Sequence, residues 1–310
     1  MVSSKRSNKI KTGSDVIVLN IIAYVFLGLI ALICLVPFIM IVSGSFSSEE
    51  AIIQNGFSFL PQDFSLEAYK TVFKDPFVVF RAYATTIGLT VVGTVVGLLF
   101  QTMTAYVLSR KDFEWRGIFS IFFYFTTLFS GGLVPYYILI TQKLNLRDSY
   151  LALLLPMIFS VYNLLIMKSY IMGIPDSLIE AAKIDGCSEF RSFIFVVLPL
   201  SKPIIATMAL FYGVGHWNQF FEALIYINSP ERFPLQLVLR NLLLQGNNAM
   251  TNLISGGMSA ENAKYASEMM QRAEILKYAV IIVSTLPILV VYPFLQKYFV
   301  KGIMAGSLKG

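Results

Sequence analysis

Long apolar runs alternate with shorter polar stretches along this chain. The runs fall at about 16–42, 82–108, 117–140, 150–172, 202–227 and 277–299. An α-helix needs roughly 20 apolar residues to cross the hydrocarbon of a bilayer, so the pattern predicts six transmembrane helices. Gly88, Gly93 and Gly97 in the second run fall near one another, the last two at the small-xxx-small spacing that lets membrane helices pack closely. The third run breaks near Ser130-Gly131-Gly132 and Pro135. Pro156 in the fourth, and Pro287 and Pro293 in the sixth, predict kinks. Two longer polar stretches, about 47–81 and 228–276, read as loops on one side of the membrane. The second has a Gly/Asn-rich middle that reads as flexible. From Ser259 onward Glu261, Lys264, Glu268 and Arg272 fall on a helical pattern that leads into the sixth run.

Between the fourth and fifth runs lies a polar, mixed-charge segment, 173–201, that reads as two short helices joined at a glycine. Ser177, three residues before Glu180, predicts a capping box for the first helix, and Gly186 supplies the position that ends it. Ser188 predicts the N-cap of the second. There Phe190, Phe193, Ile194, Val197 and Leu198 recur at the spacing of one apolar helix face.

Composition agrees with a polytopic membrane protein. Of 310 residues, 56% are hydrophobic and 14% charged, against about 25% charged in an ordinary soluble chain. The net charge of +6 sits at the ends of apolar runs rather than in one patch, which argues for membrane topology and against a nucleic-acid partner. The basic residues also set orientation. Lys5, Arg6, Lys9 and Lys11, the 110–116 stretch, the 168–202 stretch and the C-terminal lysines lie on one side, so the positive-inside rule predicts that both termini and segment 173–201 are cytoplasmic. The first run is longer than a signal-peptide core of about 7–15 residues and is expected to be retained as a helix. Two cysteines, Cys34 and Cys187, and a single histidine leave no disulfide framework and no His-based metal site.

The central segment carries a resemblance. Glu180-Ala181-Ala182, three residues, Gly186, nine residues, Val196, one residue and Leu198-Pro199 is similar to the cytoplasmic signature of binding-protein-dependent ABC importer permeases, with Val196 where isoleucine is usual. Ile174-Pro175-Asp176 and Leu200-Ser201-Lys202-Pro203 extend the match. Phe129-Ser130-Gly131-Gly132-Leu133-Val134-Pro135, Gly215-His216-Trp217-Asn218 and Tyr298-Phe299-Val300-Lys301-Gly302 resemble the maltose and oligosaccharide group, in particular permeases of the aldouronate or complex-oligosaccharide type. The resemblance covers roughly 80–300 and implies an all-α, six-helix type I importer permease. Residues 1–79 then form a cytoplasmic tail, first helix and outer loop, 80–300 the permease core, and 301–310 a cytoplasmic tail.

What the resemblance implies about partners is specific. A second homologous permease, two ABC ATPase subunits and an extracytoplasmic solute-binding protein complete the machine, in the cytoplasmic membrane of a prokaryote. Glu180, Ala181, Ala182, Asp185, Gly186, Phe190, Leu198 and Pro199 are the expected ATPase-coupling residues. The two alanines leave room for the helix to sink into a partner groove, and Glu180 either caps locally or pairs with a base on the ATPase. No Gly-x-x-x-x-Gly-Lys-Ser/Thr phosphate loop is present. The chain is therefore expected to bind no cofactor itself, with ATP and Mg held by the partner ATPase.

The fifth run is the richest in polar groups: Tyr212, Gly215, His216, Asn218, Gln219 and Glu222. On one continuous helix they would span an arc of roughly 160°, predicting a polar wall of a substrate pathway, with Trp217 stacking on a sugar or packing on a partner helix. At about 1.5 Å per residue His216 lies near the bilayer midplane. Asn163 in the fourth run is a further candidate. Intramembrane polar groups suggest function by default, though each one could equally hold helices together by a hydrogen bond. With His216 the sole ionisable group at its depth, an ion-coupled carrier is disfavoured. No nucleophile–base pair or metal motif supports a membrane enzyme. The reading is a sugar permease, an oligosaccharide its cargo, working by alternating access; an amino-acid or peptide permease is the alternative.

Overall fold

A computed structural model describes residues 14–56, 58–244, 276–293 and 296. The expected N-terminal basic cluster, the Gly/Asn-rich stretch, the 259–275 helix and the 298–302 tail lie outside the described residues. Within them the chain is helical, with no strand beyond an isolated bridge between Ser47 and Phe64.

Helix α1 (Ser14–Ser45) is followed by two short helices, α2 (Glu49–Asn55) and α3 (Glu67–Val72), and then by α4 (Pro76–Ser109). The second helix thus begins about a turn and a half before the apolar run does. With 34 residues, α4 is about 51 Å long at 1.5 Å per residue. It is the spine of the fold, and α8 and α12 pack along it. Its buried positions include 79, 82, 86, 89, 93, 97, 101 and 105, a stripe that carries Gly93, Gly97, Thr86, Gln101 and Ala105. Its exposed positions include Val91, Val92, Val95, Leu99, Phe100 and Met103. Small and polar inside, large and apolar outside, is the pattern for a helix whose outer face meets lipid.

Three of the expected spans are bent. Helix α5 (Arg116–Leu128) turns through 113° at Phe129–Gly132 into α6 (Leu133–Ile138) and a π-helical turn to Lys143; Gly132 has φ +84°. Helix α7 (Tyr150–Leu154) tightens at Pro156 and meets α8 (Val161–Met172) at 47°. The central segment holds α9 (Asp176–Ile184), α10 (Glu189–Ser192), a π-helical turn over 193–197 and α11 (Leu198–Leu200). Together, 189–200 lie at 80° to α12 (Lys202–Trp217). The expected continuous helix over 202–227 is corrected here. It stops at Trp217, residues 218–220 are non-helical, and α13 (Phe221–Tyr226) follows. An apolar helix, α14 (Leu235–Leu244), occupies what read as loop, and α15 (Leu276–Pro293) runs on through Pro287. Among the described residues three helices are long and apolar enough to cross a membrane, and up to six spans result when each bent pair is counted as one.

Two large apolar clusters cap α4. At one end Ala105, Tyr106 and Leu108 pack with Leu164, Met167, Ile171, Ile179, Phe193 and Val197. At the other, Val79 and Ala82 pack with Trp217, Leu235, Leu239, Ala279 and Val283.

Candidate functional site: a tethered helical segment and a buried helix crossing

The segment 173–201 is built by local rules. Asp176 opens α9, its carboxylate in the first turn where the helix dipole favours it. The expected capping box is not formed: the helix starts one residue before Ser177, and no side chain caps it. The end of α9 follows expectation. Gly186 has φ +82°, Cys187 N–H donates to the Ala182 carbonyl at 2.9 Å and Gly186 N–H to that of Lys183 at 3.0 Å. This is a Schellman turn, which requires the left-handed conformation glycine adopts freely. Ser188 caps α10, accepting from Arg191 N–H. The apolar face expected over 190–198 is split. Phe193 and Val197 are buried, whereas Phe190, in the α-helical turn before the π turn over 193–197, is 62% exposed.

Ala182 packs inward, and Glu180, Ala181, Asp185, Gly186 and Pro199 are exposed, with Leu198 half-buried. Beside them Ile184 is 86% exposed, so α9 offers an apolar knob outward. The segment is tied to the far end of α4 by charged groups that sequence reading did not single out. Lys111 pairs with Asp176 at 2.7 Å and Lys183 with Asp112 at 3.5 Å. Arg110 pairs with Asp112 at 3.1 Å, and Lys183 also with Glu189. Glu189 accepts from the Tyr106 hydroxyl at 2.7 Å. Hydrogen bonds from Arg110, Lys111 and Lys183 hold the carboxyls of Asp112, Asp176 and Glu189, respectively, below their ordinary values; Glu189 in return raises Lys183.

The polar arc of the fifth run does not stay together. Tyr212, His216, Trp217 and Gln219 are buried, as is Asn163, while Asn218 is exposed and Glu222 half-buried. Two of the buried members, Tyr212 and Gln219, meet backbone at helix breaks. Tyr212 donates to Gln101 at 2.7 Å and accepts from Ser160 N–H at 3.2 Å; Gln101 donates to the Ser160 carbonyl at 3.0 Å. Ser160 is where α8 breaks from α7; Tyr212 satisfies the N–H that the bend frees, and Gln101 adds a second donor to a carbonyl that already accepts from Leu164 N–H. Gln219 donates to the Leu153 carbonyl at 2.8 Å where α7 tightens, and the Trp217 indole to that of Ser284 at 3.0 Å. Trp217 therefore packs on a helix rather than facing a cavity. His216 lies in the notch made by Gly93, where an added Cβ would stand 2.3 Å from Nε2. Gly97 likewise receives the Tyr212 ring, whereas Gly88 faces open space. Asn218 opens the non-helical 218–220 stretch, and Glu222 lies in the first turn of α13 just beyond it. Glu222 sits within electrostatic range of Tyr136 and Tyr226, and Asn218 uses only its amide N–H, toward Val214.

At the opposite end of the bundle Asp148, with φ +55°, pins the 228–232 turn. Its carboxylate accepts from Asn228 and Ser229 N–H and from Ser229 Oγ, and faces Arg232. The Ser229 hydrogen bonds lower it to about 2. Among the described residues no group of His, Cys, Asp and Glu could hold a metal.

Comparison with known proteins identifies the class this architecture defines. Residues 16–305 match the family of binding-protein-dependent transport system inner membrane components, and the chain belongs to it. It is 44% identical to protein LplC of Bacillus subtilis over 97% of both chains. It is 39% identical to the polygalacturonan/rhamnogalacturonan transport permease YtcP of the same organism, over 94% of this chain and 98% of that one. The crystal structure of a bacterial ABC transporter that imports the acidic polysaccharide alginate superposes with a TM-score of 0.75. The two are 32% identical, over 94% of this chain and 100% of that one. The chain is a multi-pass inner-membrane permease subunit of an importer, not an enzyme, and works with an ATPase and a solute-binding protein.

Proposed function

We propose that this chain is one permease of an oligosaccharide importer, paired with a second, homologous permease and driven by two ABC ATPase subunits that hold ATP and Mg. The observation that carries the reading is the outward face of 180–190. It presents Glu180, Ala181, Ile184 and Phe190 next to a Schellman turn, a compact surface suited to a groove on a partner. Both termini and this segment are cytoplasmic in the reading, as the basic residues favour. Substrate arrives from the binding protein on the other side and passes by alternating access.

Carbohydrate cargo is supported by the named substrates of YtcP and of the alginate importer. On this chain the surface available to a sugar is the 218–220 break and the first turn of α13, where exposed Asn218 and half-buried Glu222 supply amide and carboxylate partners for hydroxyls. Gln219, inside that break, anchors it to the Leu153 carbonyl, while Tyr212, His216 and Asn163 are buried in the helix crossing. The test is the purified complex in nanodiscs with its binding protein, screened for ATPase stimulation by neutral oligosaccharides, uronate-bearing oligosaccharides, amino acids and peptides. Stimulation by a glycan is expected; stimulation by an amino acid or peptide alone would overturn the substrate class.

A further inference from the structure

The coupling segment touches α4 in two ways. Ile179 and Phe193 pack into the apolar cluster with Tyr106 and Leu108, and apolar burial is non-directional, so it keeps the segment in place without fixing its angle. The charged contacts are directional. Lys111 and Asp112 follow α4 and bind the two ends of α9, at Asp176 and Lys183. Between α9 and α10 the backbone turns at Gly186, and Lys183 bridges that turn to Glu189. The other oxygen of Glu189 accepts from Tyr106, which is 7% exposed, belongs to the last turn of α4 and lies 5.2 Å ring to ring from Phe193. Among the described residues, Glu189 alone bonds both to a residue of α9 and to the body of α4.

We infer that Glu189 is the positioning residue through which a displacement of α9 and α10 reaches α4, with Tyr106 receiving it. The inference rests on the proposed contact of 180–190 with the ATPase. A push on α9 moves Lys183; the shared carboxylate passes that movement to the Tyr106 hydroxyl and so to the helix against which α8 and α12 are packed. Exposed ion pairs are individually weak because water screens them, and the Tyr106 bond, made by a buried donor, is the one that survives screening.

The test uses the full complex in proteoliposomes, reading ATP hydrolysed per substrate imported. Glu189→Ala and Tyr106→Phe are each expected to raise that ratio about two- to thirtyfold, the range by which residues between coupled sites alter coupling. Amounts of co-purified ATPase should stay unchanged. Because both remove one shared bond, the double variant should be no worse than Glu189→Ala alone. Glu189→Gln, which keeps an acceptor for Tyr106, should fall nearer the wild type and carries the test with Tyr106→Phe where Glu189→Ala fails to assemble. An unchanged ratio in Tyr106→Phe, or additive effects in the double variant, would overturn the inference. Gly186→Trp in the same assay separates the two readings. If it leaves uptake normal, the docking reading fails; if it uncouples while Tyr106→Phe does not, only the role of Glu189 fails.

Discussion

The contact of α4 with the coupling segment and its contact with α12 perform the same task by opposite chemistry. At the exposed end, charged side chains from a loop reach across to α9 and α10, and several share partners. Along the helix crossing, neutral groups do the holding: Gln101, Ser160 and Tyr212 close a small net, and His216 fills a glycine notch. Water explains the difference. A charged tie in water can loosen and re-form at little cost. A polar group left unpaired in the bilayer interior cannot turn to solvent, so the Tyr212 and Gln219 bonds there are made to backbone at helix breaks. The first arrangement suits a segment that moves, the second a crossing that stays shut.

The comparison is broken most strongly at the notch. Gly93→Leu is expected to abolish folded protein, since its Cβ alone would sit 2.3 Å from the imidazole; Gly88→Ala, facing open space, should leave yield unchanged. Size-exclusion profiles in detergent check both. Next is Tyr212→Phe, which orphans the Ser160 N–H and Gln101 Oε1. An unsatisfied buried group costs about 1–3 kcal/mol, and the thermal midpoint of the detergent-purified complex should fall accordingly. A smaller effect follows from Lys111→Ala at the exposed end: little change in thermal midpoint, and what change there is should vanish in high salt, as screening of surface charge requires.

The smallest effect concerns Asp148. Its carboxyl is lowered to about 2, so the tie to the 228–232 turn is fully present above the unfolded carboxyl value of about 3.9 and is lost only as pH falls toward 2. Asp148→Asn should speed tryptic cleavage after Arg232 at neutral pH, whereas the wild type should show equal protection of the turn from pH 7 down to pH 5.

Much of this was legible in the chain. The Gly186 turn and the Ser188 cap follow from residues whose backbone preferences are strong, and Gly93 and Gly97 marked a close crossing correctly. The Ser177 capping box did not form because Pro175 sets φ one residue too early and lets Asp176 begin the helix. The break after Trp217 was hidden since Asn218 and Gln219 look like the polar positions of an uninterrupted helix; only Gln219's bond to Leu153 reveals the bend's purpose. The Glu189–Tyr106 pair spans 83 positions, and no local pattern announces it. Gln101, a lone amide in a long apolar helix, was a signal that could have been read.

Gly93 falls halfway along α4, with about 25 Å of helix to either side of it. Of the three glycines of α4, Gly93 is the one approached most closely, by the His216 ring, which is placed to serve as the bearing of a balanced beam. A rigid α4 rocking on it by about 7° would carry its Arg110 end and its Pro76 end through equal and opposite arcs of about 3 Å. Movement at the charged loop and movement at Tyr83 and Val79, on the far side of the membrane, then come as one stroke with no gain and no loss.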